Sequence, residues 1–293
     1  MEDSKKGILL IIISSLMFGS YGVWSKLIGD SFGNFYQGWT RALIISLVFL
    51  PIIIFQKKIV AIDKKDYKWL AVFLFFTSLT QAPIFYAFNH MDIGSATLLF
   101  FVSMLLTMYF VGIFFLREKL TTIRIISFIL AGFGMYLVFS FSLVIFSLFA
   151  VFMAILNGIA SGGEVSFSKK LSGNYSPLYL VWLSWIMIFI TNATISLFLG
   201  EIQHVPSINL VWLYHLGYTF VSIFSFWFII EGLRYTEAST GGLLGLLEIV
   251  FGIFFGIVIF QEQLTIKIIL GALFILLAAS LSHIYIIIQK MKK

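Results

Sequence analysis

Cysteine is absent from the 293 residues, so neither a disulfide framework nor a thiolate metal site can form, and the redox compartment is left open. Charge is scarce as well. Asp, Glu, Lys and Arg make up 11% of the chain, against roughly 25% in ordinary soluble domains. Long polar stretches are missing, which leaves no room for a soluble domain. No Walker loop is present to bind ATP. His90, His204, His215 and His283 form no HExxH pair, and no serine sits in GxSxG. Scattered single groups do not make a catalytic constellation, so no enzyme activity, no cofactor and no metal is expected. Nor does any filter-like segment point to a selective channel.

What fills the chain instead is hydrocarbon: 60% hydrophobic and 18% aromatic residues, with mean hydropathy +1.05. Ten apolar runs recur, at 8–28, 35–55, 68–89, 94–116, 122–140, 145–168, 177–199, 208–233, 239–260 and 266–288. Each is long enough to cross a bilayer core of roughly 30 Å. The expectation is an all-α polytopic membrane protein with ten transmembrane helices. The first run has a basic start but no convincing small-residue cleavage site, and is read as a retained span. With the N-terminus inside, 16 of the 19 Lys and Arg residues fall on inside segments, Lys26 and Lys267 fall outside, and Arg41 lies within a span. The positive-inside rule then places both termini in the cytoplasm. That distribution also accounts for the net charge of +6 without nucleic acid.

One passage is written twice. "GIFFLREKLT" begins at Gly112 and "GIVIFQEQLT" at Gly256, 144 residues later. The same shift carries "SKL" at Ser25 onto "KKL" at Lys169, and Gly19 onto Gly163. The chain is therefore read as two five-helix repeats, 1–142 and 143–293. Five is odd, so the second repeat enters the membrane inverted. Inverted repeats that rock around a midplane site are an architecture of secondary transporters.

Taken together, "MFGSYGVWSKL" in the first run, "QGWTRALI" with Arg41 in the second, and the turns "REKLT" and "QEQLT" resemble the EamA-type family of the drug/metabolite transporter superfamily. The resemblance covers essentially the whole chain. It implies carriage of small metabolites, commonly amino acids or their derivatives outward, across an inner membrane. It also implies that the first, third, fourth, sixth, eighth and ninth helices surround the pathway, with the fifth and tenth at the periphery.

Candidate site residues follow from the rarity of polar groups in these runs. Gly241, Gly245, Glu248, Gly252 and Gly256 share one helical face. Glu248 stands near the middle of its span, where it can exchange a proton or meet a cationic group. Its equivalents argue against a scaffold role, since Met104 stands where Glu248 would repeat and Ser20 where Glu164 would. Small residues at this spacing are also packing devices, which suits Gly245 and Gly252. Asn157, Ser161, Glu164 and Ser168 form a second stripe. Tyr21, Trp24, Gln81, Tyr86, Ser103, Thr107, Tyr218, Ser222 and Trp227 are expected to line a cavity. Pro83 should kink the third run beside Gln81. Arg41 is expected to snorkel or to pair with a carboxylate, in a structural role. Glu231 pairs with Arg234, and Glu118 and Glu262 serve as turn or cap residues.

The resulting expectation is a carrier that exports an amino acid or related amine-bearing compound by alternating access. The competing readings are proton-coupled efflux of cationic drugs or polyamine-like compounds, and a non-transporting sensor or lipid-handling scaffold. The expected partners are a small-molecule substrate, the lipid bilayer and, for antiport, protons. Monomer and homodimer both fit.

Overall fold

Residues 2–90, 93–117, 121–139, 147–236, 241, 244–261 and 266–291 are described by the structure, a computed structural model. In chain order the helices are α1 (Glu2–Gly19), α2 (Tyr21–Ile28), α3 (Asn34–Phe55), α4 (Tyr67–Ser78), α5 (Ala82–His90), α6 (Ile93–Phe114), α7 (Thr122–Phe139), α8 (Leu148–Leu171), α9 (Pro177–Phe198), α10 (Leu210–Leu233), α11 (Leu247–Phe260) and α12 (Ile266–Met291). No strand occurs among the described residues. In a bilayer every backbone polar group must be met internally, which a helix does within one segment. Six spans satisfy both length and apolarity for crossing: Lys5–Ser25, Asn34–Phe55, Lys64–Ala87, Leu148–Leu171, Pro177–Phe198 and Leu210–Leu233. The other four runs hold α6, α7, α11 and α12, whose described apolar stretches are 10–17 residues long.

Three runs that read as continuous are broken in the structure. The first divides at Ser20, between α1 and α2, and the ninth has a turn at Leu246 before α11. In the third, α4 stops at Ser78 and α5 starts at Ala82. Pro83 is thus the second residue of a new helix, where its missing N–H costs nothing, and the break lies just before it. Pro51, inside α3, does not interrupt its helix.

The repeat offset holds well beyond the motifs that revealed it. Helices α7 and α12 begin 144 residues apart, and α3 and α9, like α4 and α10, begin 143 apart. Packing obeys the same relation. The first span (α1) lies on the ninth (α11), and the fourth (α6) lies on the sixth (α8), which are equivalent pairs; α3 packs on α9 and α7 on α12, each pair being its own equivalent. The close approaches rest on glycine. A Cβ on Gly19 would lie 2.8 Å from the Glu248 carbonyl oxygen, and one on Gly134 would lie 2.7 Å from that of Gly271.

Helix α9 is tied to α3 where it ends and to α4 where it begins. At its C-terminal end α9 closes with Gly200 at φ +68°, and the Glu201 N–H donates to the Ser196 carbonyl at 3.0 Å. That turn aims the Glu201 carboxylate at the start of α3, where it accepts from the Phe35 and Tyr36 N–H groups at 3.2 and 2.7 Å. Those donors have no partner inside their own helix, so the carboxylate caps it from 165 residues away. At the other end, the Tyr175 hydroxyl and the Asn174 amide donate to Asp66 Oδ2 at 2.8 and 3.0 Å. Arg234 pairs with Glu231 at 3.1 Å, as the i,i+3 spacing implies. Glu118, Glu262 and the junction between 142 and 143 lie outside the described residues.

Candidate functional site

A cavity of about 550 Å³ occupies the middle of the bundle. That volume suits a small organic solute. Its walls come from the first, third, fourth, sixth, eighth and ninth spans, as the resemblance implied. The seventh span adds Val181 and Ser184, while none of the described lining residues comes from α3, α7 or α12.

Both polar stripes face this space. Gly241, Gly245, Glu248, Gly252 and Gly256 all line it, and so do Asn157, Ser161, Glu164 and Ser168. A Cβ on Gly245 would meet nothing within 4 Å, so this glycine leaves concavity rather than packing two helices. A Cβ on Gly252 would lie 3.6 Å from the Gly19 carbonyl oxygen, an ordinary contact. The Glu248 carboxyl has no hydrogen-bond or ion-pair partner among the described residues. An ionisable group at this depth costs at least ~2.5–3.5 kcal/mol, and no neighbouring side chain offsets it. Glu164 differs: it is buried and accepts a hydrogen bond from the Ser184 hydroxyl.

Asn157 serves the break in the third span. Its amide donates to the Thr80 carbonyl at 2.7 Å and reaches the Leu79 carbonyl at 3.5 Å. These carbonyls lack helical partners because α4 has ended, so a side chain from α8 supplies the missing donor. Gln81 sits in the gap itself and faces the cavity. Asn157→Ala would leave a buried carbonyl unmet. The expected loss is about 1–3 kcal/mol of stability, read as a lowered thermal unfolding midpoint in detergent.

The opposite wall is aromatic. Tyr21 and Tyr218 line the cavity edge to face, with ring centroids 4.7 Å apart, and the Tyr21 hydroxyl shares a 2.8 Å hydrogen bond with Ser225 Oγ. Several expected wall residues lie elsewhere. Trp24 packs on Gly217 and donates to Ser20 Oγ at 3.2 Å. Ser103 and Thr107 fill the contact between α6 and α8 against Gly158 and Gly162. Tyr86 stacks on His90 at 3.9 Å. Trp227 is 36% exposed and stacks on Phe228. Aromatic residues are stable both in walls and against lipid, so residue type alone does not separate the two.

Ser222 is also behind the wall, where it accepts a hydrogen bond from Arg41 Nη2 at 2.5 Å. Arg41 neither snorkels nor meets a carboxylate. It is 1% exposed, with its guanidinium 3.6 Å from the centroid of the Tyr218 ring. Nε and Nη1 have no hydrogen-bond partner among the described residues. A buried cation with unmet donors is costly, by several kcal/mol on most scales. Sequence reasoning missed Ser184 and Glu201 because a lone serine in an apolar helix and a carboxylate in a polar loop carry no periodic mark.

The sequence profile of the EamA-like transporter family matches residues 5–140 and, a second time, residues 148–283. No curated protein matches the chain. Solved structures do match in shape. One, described only as "Crystal structure of protein", superposes with a TM-score of 0.75 at 12% identity, covering 94% of this chain and 97% of its own. At that identity the likeness is one of fold.

Proposed function

The chain belongs to the EamA-like transporter family, and from that premise we propose that it exports a small, partly apolar amine-bearing metabolite, an amino acid or close relative, by alternating access. The family makes the protein a multi-pass membrane transporter of small solutes. The observation that carries the finer reading is the Glu248 carboxyl, which faces an aromatic-walled cavity with no protein partner. An ammonium group would supply the missing counter-charge, and the rings would take an apolar body and add cation–π attraction. Repeats 1–142 and 143–293 are the bodies that rock. The cytoplasmic membrane is the setting, with both termini inside, since 16 of 19 basic residues then face the cytoplasm.

The same unpaired carboxyl favours a second reading, exchange of a proton for a cationic drug or polyamine-like compound. Transport by the purified protein in liposomes, with radiolabelled amino acids and cationic compounds, separates them. The expected result is movement of an apolar amino acid above the level of protein-free vesicles. Movement of cations alone, driven by a pH gradient, would favour the second reading. No movement of any compound would overturn both.

A further inference from the structure

The carrier reading uses Glu248 and leaves Arg41 unexplained. Arg41 is as buried as any core residue, yet only one of its three guanidinium nitrogens has a hydrogen bond. Native interiors seldom leave buried donors unmet, and a residue kept only to fill space between α3 and α10 needs no charge. What screens it from the cavity is thin. The Tyr218 ring lies directly against the guanidinium and Tyr21 stands further off, 5.7 Å from it, and both rings form cavity wall. Tyr218 and Glu248 line the same cavity. A cation thus lies against one aromatic ring of the cavity that the Glu248 carboxyl also lines. The flat guanidinium fork matches a carboxylate, which it binds through two parallel hydrogen bonds.

We propose that Arg41 is the anchor for a substrate carboxylate, reached from the cavity when Tyr218 and Tyr21 turn aside, and that the cargo is a zwitterion held between Arg41 and Glu248. This rests on the carrier reading above and narrows it. A plain cation would satisfy Glu248 but meet repulsion from Arg41. A zwitterion fills both ends, and its apolar body lies along the rings.

The test pairs L-leucine with isoamylamine, which keeps the apolar body and the amine but lacks the carboxylate. Both are measured for uptake by reconstituted wild type, Arg41→Gln and Arg41→Lys. Wild type should move leucine and discriminate against isoamylamine, because a site built around a buried polar group rejects an analogue that leaves it unmet. Arg41→Gln should lower leucine uptake roughly 30-fold or more, the usual loss on removing one partner of a buried charge pair. Isoamylamine uptake should be unchanged or increased. Arg41→Lys, which keeps the charge but not the fork, should fall between. Equal loss of both compounds in folded protein, or no change in either, would overturn the proposal. Should Arg41→Gln fail to fold, wild type alone decides: its thermal midpoint must rise with leucine and not with isoamylamine. If wild type moves only the amine, the carboxylate anchor falls while an amine carrier stands. If it moves neither this pair nor any other compound, the carrier reading falls and the anchor with it.

Discussion

Glu248→Gln leaves the protein folded and lowers transport of its cargo roughly 100-fold, within the loss of ~2–5 kcal/mol that follows removal of a charged partner from a desolvated pair. Two features set this expectation. Glutamine nearly matches the shape of glutamate, so the face between Gly245 and Gly252 keeps its form. Glu248 also has no protein partner to lose, so its replacement removes nothing that holds α11 in place. The thermal midpoint in detergent should be unchanged or slightly higher, while initial uptake into liposomes collapses. A variant that folds and transports like wild type would reassign the carboxyl to packing. Glu164→Gln is a less clean comparison, because Glu164 already accepts a hydrogen bond from Ser184.

The second large effect is on folding. A Cβ on Gly158 would press into the Phe100 carbonyl oxygen and lie 2.7 Å from Ser103 Cβ. Both neighbours belong to α6, and backbone cannot rotate away as a side chain can. Gly158→Leu should separate α6 from α8 and remove monodisperse protein from detergent extracts. Gly158→Ala should cost about 1–3 kcal/mol, the range for overpacking. Gly132 supplies the control, because a Cβ there meets nothing within 4 Å. Gly132→Ala should be neutral or raise stability by about 0.5–1 kcal/mol through helix propensity. Equal behaviour of the two alanine variants would mean that the close approach at Gly158 is not what joins these helices.

The fold was legible because two strong regularities carry it. Lipid demands long apolar runs, and duplication copies spacing, so one offset of 144 aligned the two halves before any contact was known. The two stripes were legible for a related reason. Polar residues are so rare in these helices that periodicity alone selects a face, and every member of both stripes lines the cavity. Breaks and neighbours were harder. No proline marks the breaks at Ser20 and Leu246, and the single glycines before them, Gly19 and Gly245, read equally as packing residues. Asn157 reads as one more polar residue until the Thr80 carbonyl is found beside it. Arg41 was visible as a charge, but periodicity gives a direction and not a distance, so its place behind Tyr218 was not.

The ties along α9 have a mechanical meaning. Glu201 fastens the end of α9 to the start of α3, Trp182 on α9 donates to the Ser46 carbonyl on α3 at 3.2 Å, and Tyr175 at the start of α9 donates to Asp66 at the start of α4. A helix fastened to its neighbours at both ends and in the middle is an axle: it can tilt with them, but it cannot splay from them. Under the alternating access proposed above, opening on one side would close the other by the same angle, and two matched halves would make the two orientations equal in energy. Any preference between them has to come from positions where the halves do not match, such as Glu164 opposite Ser20 and Glu248 opposite Met104. The residues proposed to hold the cargo would then also decide which way the empty carrier leans.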